Sequence, residues 1–343
     1  MKRVLNASAT RLLNQPERLL RALFGPPPRN DRGIEQDLHT HALLRLMELA
    51  GLGELHGQSV AKARRHYERH GGLVDLPAPR RVEQRNLEIP GPAGSLRARL
   101  YLPPQRARNS LMLWLHGGGY VIGNLNTHAA ACATVAERSG CTILAVDYRK
   151  SPEHVFPAAS DDGLASFRWL RKNAADFDCD PNQVVIGGDS AGANLCAGVC
   201  HRLRDAGEAQ PRLQVLVYPM TDVRASFPSR RHFAEGAMLT AELMEWFRGH
   251  YLPDLDARSD PLISPLLADR FDALAPALIH TAGFDPLRDE GEAYAQALQG
   301  ATVEVDYRCH ERLIHGYLTM GGASPGNRAA ILALGDDLRR HLY

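Results

Sequence analysis

The stretch Gly188-Asp189-Ser190-Ala191-Gly192 constrains this chain more than any other, because of what flanks it. Gln183-Val184-Val185-Ile186-Gly187 before it reads as a short buried strand, and Ala193-Asn194-Leu195-Cys196-Ala197-Gly198-Val199-Cys200 after it reads as a helix of small residues. A strand that turns directly into a helix through Gly-x-Ser-x-Gly is a nucleophile elbow. The turn is so tight that the residues around the serine must be small, and the strained backbone presents the hydroxyl at the carboxyl end of a sheet. Ser190 is thereby placed to attack a carbonyl carbon. The same five-residue pattern also occurs by chance, so the reading needs agreement from elsewhere in the chain.

His116-Gly117-Gly118-Gly119 follows the apolar run Leu111–Leu115. Glycines there let backbone N–H groups point inward without side chains in the way, so the amides of Gly117 and Gly118 can join that of Ala191 around one oxygen. Such an oxyanion hole stabilises the charge that appears on a carbonyl oxygen under attack, each donor being typically worth about 3 kcal/mol of barrier. No Lys-Ser/Thr pair follows these glycines, which excludes a phosphate-cradling loop.

An elbow serine of this kind finds its acid and then its base later in the chain. The strand-like segment Pro276–Gly283 delivers Asp285 at its carboxyl end, and the loop beyond an alternating strand at Val303–Arg308 carries His315. Asp285 is the candidate acid and His315 the candidate base. Both Asp285 and Asp289 can equally be read as carboxylates stabilising the start of the next helix. His280 competes with His315 but lies inside a core strand before the acid, and His116 is read as orienting the glycine loop. Arg149, Glu153 and Asp162 are expected to form an ion-paired turn bracing that loop rather than to do chemistry.

Taken together these segments resemble the hormone-sensitive lipase-like branch of the alpha/beta hydrolases, the bacterial esterases with a His-Gly-Gly-Gly signature, from about residue 36 to the C-terminus. The resemblance also rests on Asp147-Tyr148-Arg149, Pro152-Glu153-His154, Phe156-Pro157-Ala158-Ala159, Tyr218-Pro219, Thr221-Asp222, Ser264-Pro265-Leu266 and Gly283–Gly291. It implies an α/β fold with a mostly parallel sheet and a helical cap. By the same resemblance Ser190 is the nucleophile, His315 the general base, Asp285 the group holding the imidazole, and Gly117, Gly118 and Ala191 the oxyanion donors. The implied activity is a serine carboxylic ester hydrolase acting on small to medium acyl esters, with no cofactor and no metal. The same triad serves an amidase, deacetylase or acyltransferase. A non-catalytic ligand-binding relative is a further reading, against which the retained His315 argues. Ala193 replaces a common glycine after the elbow and is a candidate for narrowing the site, and Tyr317 stands where phenylalanine is usual.

Alternation of strand-like and helix-like segments from about residue 81 onward points to one α/β catalytic domain over 81–343. Residues 1–80 have helical periodicity and, with an insertion at about 227–252, are expected to form the cap. Charge is balanced at 40 basic against 39 acidic residues, so nothing draws this chain to nucleic acid. The six cysteines form neither a C-x-x-C pair nor a zinc spacing and read as reduced core residues of a cytoplasmic protein. Cys196, Cys200 and His201 are too few for a structural metal site, and His66 and His70 are read as a solvated helix face. Residues 1–32 carry Lys2, Arg3, Arg11, Arg18, Arg21, Arg29 and Arg32 against Glu17 and Asp31, with leucines between. That composition permits peripheral contact with anionic lipid, but Pro16 interrupts it and packing on the chain's own domain is the favoured reading. A homodimer through the exposed Val303–Arg308 edge is also open, although Glu304, Asp306 and Arg308 can protect that edge by charge.

Overall fold

Short, wholly apolar runs make the middle of the molecule. In the computed structural model, which describes residues 12–343 apart from 14, 52–54, 108, 237, 253 and 255 and the side chains of 70–73, they form an eight-stranded sheet. Its strands are β1 (Glu83–Gly91), β2 (Gly94–Leu102), β3 (Leu111–Leu115), β4 (Thr142–Val146), β5 (Val184–Asp189), β6 (Gln214–Val217), β7 (Ala277–Phe284) and β8 (Val305–Ile314), in the order β1-β2-β4-β3-β5-β6-β7-β8. β1 and β2 form an antiparallel hairpin at one edge, and every pairing from β4 to β8 is parallel. The helices are α1 (Glu17–Phe24), α2 (Leu38–Leu49), α3 (Val60–Val74), α4 (Ala129–Ser139), α5 (Ala158–Lys172), α6 (Ala191–Asp205), α7 (Pro228–His232), α8 (Ala241–Tyr251), α9 (Arg288–Gly300) and α10 (Pro325–Leu342).

Parallel strands buried on both faces read as near-continuous apolar runs, and β3, β4, β5, β6 and β7 are buried throughout. Leu111, Leu113 and Leu115 pack with Phe167 and Leu170 of α5, Val199 of α6 and Tyr294 of α9. The alternate residues Met112 and Trp114 face the other way, against Val135 of α4 and Leu334 and Leu338 of α10. Each fully buried leucine contributes about 1.5–3 kcal/mol of hydrophobic stabilisation. The core is therefore two layers on either side of one sheet, and the loops at its carboxyl end are left free to carry the site.

One strand boundary differs from the sequence expectation. The last strand runs over Val305–Ile314 rather than Val303–Arg308. Its second half breaks the apolar alternation because polar residues there have partners elsewhere in the chain: His310 Nε2 lies 3.1 Å from His280 Nδ1, and Arg32 donates to Glu311 at 3.1 Å. β8 also shifts register against β7 between Ala282 and Phe284, where a Cβ on Gly283 would lie 2.0 Å from the Glu311 carbonyl oxygen.

Helices α1, α2, α3 and α8 and the α7 turn cover the carboxyl end of the sheet. Leu13 and Leu20 are buried with Leu38 and Leu43 of α2, Phe284 and Ile314, while Leu19 and Leu23 on the outer side of α1 are exposed. Arg21 and Arg29 pair with Glu35, Arg32 with Glu292 and Glu311, and Asp31 with Arg288. Most of the described N-terminal charges are thus used within the chain, and Lys2, Arg3 and Arg11 lie outside the described residues. Among the described residues no helix is long and apolar enough to cross a membrane. The cysteines are unpaired, and no group of three or more metal-ligating side chains occurs among the described residues. His201 instead meets the Tyr294 hydroxyl at 3.2 Å.

Candidate active site

β5 ends at Asp189, α6 begins at Ala191, and Ser190 between them has φ 54° and ψ −120°. A non-glycine residue in that region is strained, and the fold holds it there through the Ser190 N–H bond to the Val217 carbonyl at 2.9 Å. The flanking glycines answer to one atom. A Cβ at Gly188 would stand 2.5 Å from the Leu115 carbonyl oxygen, and one at Gly192 would stand 2.0 Å from it. The end of β3 therefore passes too close to the elbow for any side chain there.

Phe284 and Ile314 are register partners at the ends of β7 and β8, so the next residues, Asp285 and His315, emerge side by side although 30 positions apart. His315 Nδ1 lies 2.8 Å from Asp285 Oδ2, and its Nε2 lies 3.0 Å from Ser190 Oγ. With Nδ1 donating to the carboxylate oxygen, Nε2 is the acceptor that faces the Ser190 hydroxyl. Asp285 is fully buried, and its second oxygen accepts the Leu287 N–H at 2.8 Å. The two sequence readings of Asp285 thus coexist: one oxygen secures the turn into α9, the other orients the imidazole. Asp289 has a different occupation, accepting from Ser229 N–H at 2.8 Å and from Arg288 Nε at 2.8 Å.

One expected oxyanion donor does not reach the site. The Gly117 N–H donates to Asp189 Oδ1 at 3.0 Å, and a Cβ on Gly117 would lie 2.4 Å from the other carboxylate oxygen. Its amide is used beneath the loop. Gly118 and Gly119, with φ of 118° and 57°, turn the chain over, and both line the cavity that contains Ser190, as does Ala191. Among the described residues the amides of Gly118, Gly119 and Ala191 have no protein acceptor. The glycine requirement at Gly119 is doubled by packing, since a Cβ there would fall 2.2 Å from the Phe247 ring of α8.

Asp189, the variable residue of the elbow pattern, was not legible as a functional residue. Besides Gly117 it meets His128 Nε2 at 3.3 Å, and both side chains are buried. Burial alone would push the Asp189 carboxyl up, but the His128 charge and hydrogen bond and the Gly117 N–H outweigh it and hold it below its ordinary range. Burial likewise works against a charged His128, and the Asp189 carboxylate reverses that and raises it. Removing one member of such a pair leaves the other buried and uncompensated. Asp189→Ala is expected to cost about 3–5 kcal/mol of stability. Asp189→Asn, which keeps an acceptor for Gly117, should cost less and retain more kcat. Urea unfolding and initial rates on one ester check both, and equal losses for the two variants would refute the Gly117 connection.

The glycine loop is also held from the cap and from the elbow helix. Arg64 of α3 donates to the carbonyls of Val121 and Ser151, both at 2.8 Å, and takes Glu153 in a bidentate pair at 2.8 and 2.7 Å. Glu153 therefore serves the cap, while Arg149 pairs with the buried Asp162 as a separate brace. Asn194 of α6 accepts from the Tyr120 hydroxyl at 2.8 Å and donates to the carbonyls of Met220 and Ile263. His116 is buried, stacked on Tyr148 with its Nδ1 at 2.8 Å from the Gly117 carbonyl, and His280 is spent on Asp337 at 3.0 Å. His66 differs from expectation: it is half-buried and lines the cavity, and the His70 side chain lies outside the described residues. Ala193 faces the core and not the cavity.

The cavity above Ser190 has a volume of about 720 Å³. Its walls are chiefly apolar, from Leu43, Leu46 and Met47 of α2, Leu243 and Phe247 of α8, and Met220.

Comparison with known proteins places this geometry. Residues 112–319 match the family described as the alpha/beta hydrolase fold. A carboxylic ester hydrolase of Mycobacterium tuberculosis, LipN, is 44% identical over 274 residues, spanning 78% of this chain and 73% of that protein. An ethyl acetate hydrolase of Pseudomonas putida is 35% identical over 84% of this chain and 92% of its own length. Among solved structures, an alpha/beta hydrolase from the metagenome of Lake Arreo superposes with a TM-score of 0.85 at 39% identity, covering 88% of this chain and 97% of that one. With the fold, the elbow and these relatives in agreement, the chain belongs to the alpha/beta hydrolase family, in its hormone-sensitive lipase-like esterase branch.

Proposed function

We propose that this carboxylic ester hydrolase works through an acyl-enzyme on Ser190, with His315 as base and then acid, Asp285 as the group that orients and balances the imidazole, and Gly118, Gly119 and Ala191 as oxyanion donors. The observation that carries the reading is the unbroken relay from Ser190 Oγ through His315 to Asp285, at 3.0 and 2.8 Å, opening into a cavity that those amides also line. Ser190 Oγ attacks the ester carbonyl as its proton passes to His315 Nε2. The oxyanion is held by the backbone amides, and the alcohol departs with the proton returned by His315. Water then repeats the sequence and frees the acid.

The apolar walls favour a small to medium hydrocarbon acyl group. A reducing, cytoplasmic setting fits cysteines of which none is in a disulfide and nearly all are buried. A fluorophosphonate probe is expected to label Ser190, and para-nitrophenyl esters to be cleaved with kcat/KM rising from acetate to hexanoate. The anilide of the same acid should be slower than its ester. An anilide cleaved faster would replace the esterase reading with an amidase, and a folded protein that neither labels nor turns over any ester would leave a ligand-binding homologue.

A further inference from the structure

The cavity carries a positive charge that ester hydrolysis does not use. Arg230 and Arg248 both line it. Arg230 is neutralised: its Nε and one terminal nitrogen donate to Glu290 at 2.8 and 2.6 Å, and Glu290 is fully buried. Arg248 is not neutralised in the same way. Its carboxylate partner, Glu245, sits one turn back on α8 with its side chain 56% exposed, and a solvated pair of that kind contributes little.

The Arg248 guanidinium also holds a donor without an acceptor. One terminal nitrogen reaches the Val223 carbonyl at 3.3 Å, but Nε is shut off from solvent and has no hydrogen-bond partner. Arg258 repeats the pattern, with a buried Nε lacking an acceptor and no ion-pair partner among the described residues. The cations lie close together. Arg230 donates to the Asp222 carbonyl at 3.0 Å, adjacent to the Val223 carbonyl that Arg248 uses. Burial first, and then Arg258 and Arg230 as like charges, push the Arg248 guanidinium below its ordinary range. Buried N–H groups are normally satisfied, and clustered cations are relieved by an anion.

Arg248 opens into the same cavity as the reacting centre. Met244, Arg248 and Tyr251 share one face of α8 by their spacing and all line the cavity, and Tyr251 stacks at 3.7 Å on Tyr120, the residue after Gly119.

We propose that Arg248, flanked by Arg258 and Arg230, forms an anion subsite in the catalytic cavity, so that the enzyme selects esters bearing a second, ionised carboxylate remote from the scissile bond. The proposal rests on the ester hydrolase reading and leaves its covalent steps unchanged; only recognition differs. Monoesters of dicarboxylic acids, or esters of hydroxy acids, are the substrate class.

The test uses matched pairs on the full chain. On the acyl side, mono-para-nitrophenyl glutarate and adipate are compared with para-nitrophenyl pentanoate and hexanoate. On the alcohol side, the butyrate ester of ω-hydroxyhexanoate is compared with hexyl butyrate. In Arg248→Gln the anionic-to-neutral ratio of kcat/KM should fall at least about tenfold in one of the pairs. Arg258→Gln should move the ratio in the same direction, and Arg248→Lys should retain most of the preference. A ratio unchanged by both glutamine variants, with neutral esters still cleaved, overturns the subsite. Absence of turnover on every ester by the unaltered protein instead overturns the ester hydrolase reading. If Arg248→Gln fails to fold, Arg258→Gln alone decides.

Discussion

Ser190→Ala is expected to lower kcat on a para-nitrophenyl ester by about a million-fold and to abolish fluorophosphonate labelling, with the thermal unfolding curve close to that of the unaltered protein. The size follows from the geometry. Removing Oγ removes the atom that forms the acyl-enzyme and leaves His315 Nε2 facing no nucleophile at the 3.0 Å that now separates them. The backbone amides of Gly118, Gly119 and Ala191 remain and would sustain a residual rate about a thousand times that in water. Stability is expected to hold because the strained φ of 54° suits alanine no worse than serine and the Ser190 side chain caps no helix end. Double replacement of Ser190 and His315 should cost little more than Ser190→Ala alone, since the two act as one unit. Retention of activity within tenfold would falsify the assignment of Ser190.

For Asp285→Asn the expected loss in kcat is about ten-thousand-fold, with far less effect on folding. The carboxylate accepts from His315 Nδ1 through one oxygen and from the Leu287 N–H through the other. An amide at this position can still accept from Leu287, which keeps the turn before α9. It can also present an N–H₂ group to Nδ1, which drives the hydrogen to Nε2 and blocks the imidazole from receiving the serine proton. The charge that balances an imidazolium is lost as well. Asp285→Ala should be comparably inactive and also less stable, because it strips the Leu287 acceptor. Measuring kcat and urea midpoints for both variants separates these effects. An amide variant with a loss below tenfold would mean that Asp285 serves the turn alone.

Much of the site is readable in the sequence alone. Ser190, Asp285 and His315 announce themselves because each closes or follows a strand whose apolar run is visible, and a catalytic order along the chain singles them out. The glycine loop is visible for the same reason, but the amide of Gly117, expected to be a donor, is taken by Asp189 beneath the loop. Nothing in His-Gly-Gly-Gly tells which amide is taken by the underside of the loop; that depends on Asp189, which arrives from β5 and claims Gly117 at 3.0 Å. Ala193, a candidate for narrowing the site, packs into the core, because one residue along a helix rotates a side chain by about 100°. His66, expected on a solvated helix face, lines the cavity, since a helix pattern identifies a polar face without saying what that face meets.

The strand that ends at His315 shows the same division. Its first half alternates and is readable, whereas Cys309–Arg312 reads as polar loop because the partners that make those residues acceptable, His280 of β7 for His310, Arg32 for Glu311 and the Glu35 carbonyl for Arg312, come from other parts of the chain. Sequence by itself determined the local chemistry of this protein: apolar runs that must be strands buried on both faces, glycines where a Cβ cannot fit, and a serine, a carboxylate and a histidine in the order a triad requires. Tertiary structure alone decided how those parts are braced and what they admit. The contacts of Asp189 with Gly117, Arg64 with the loop beneath the cap, and Arg248 with Val223 join residues far apart in the chain, or residues on different elements. Side-chain periodicity reports only the environment of one element at a time, so pairings between elements, and the cavity they enclose, become legible only when the sheet and the cap are assembled.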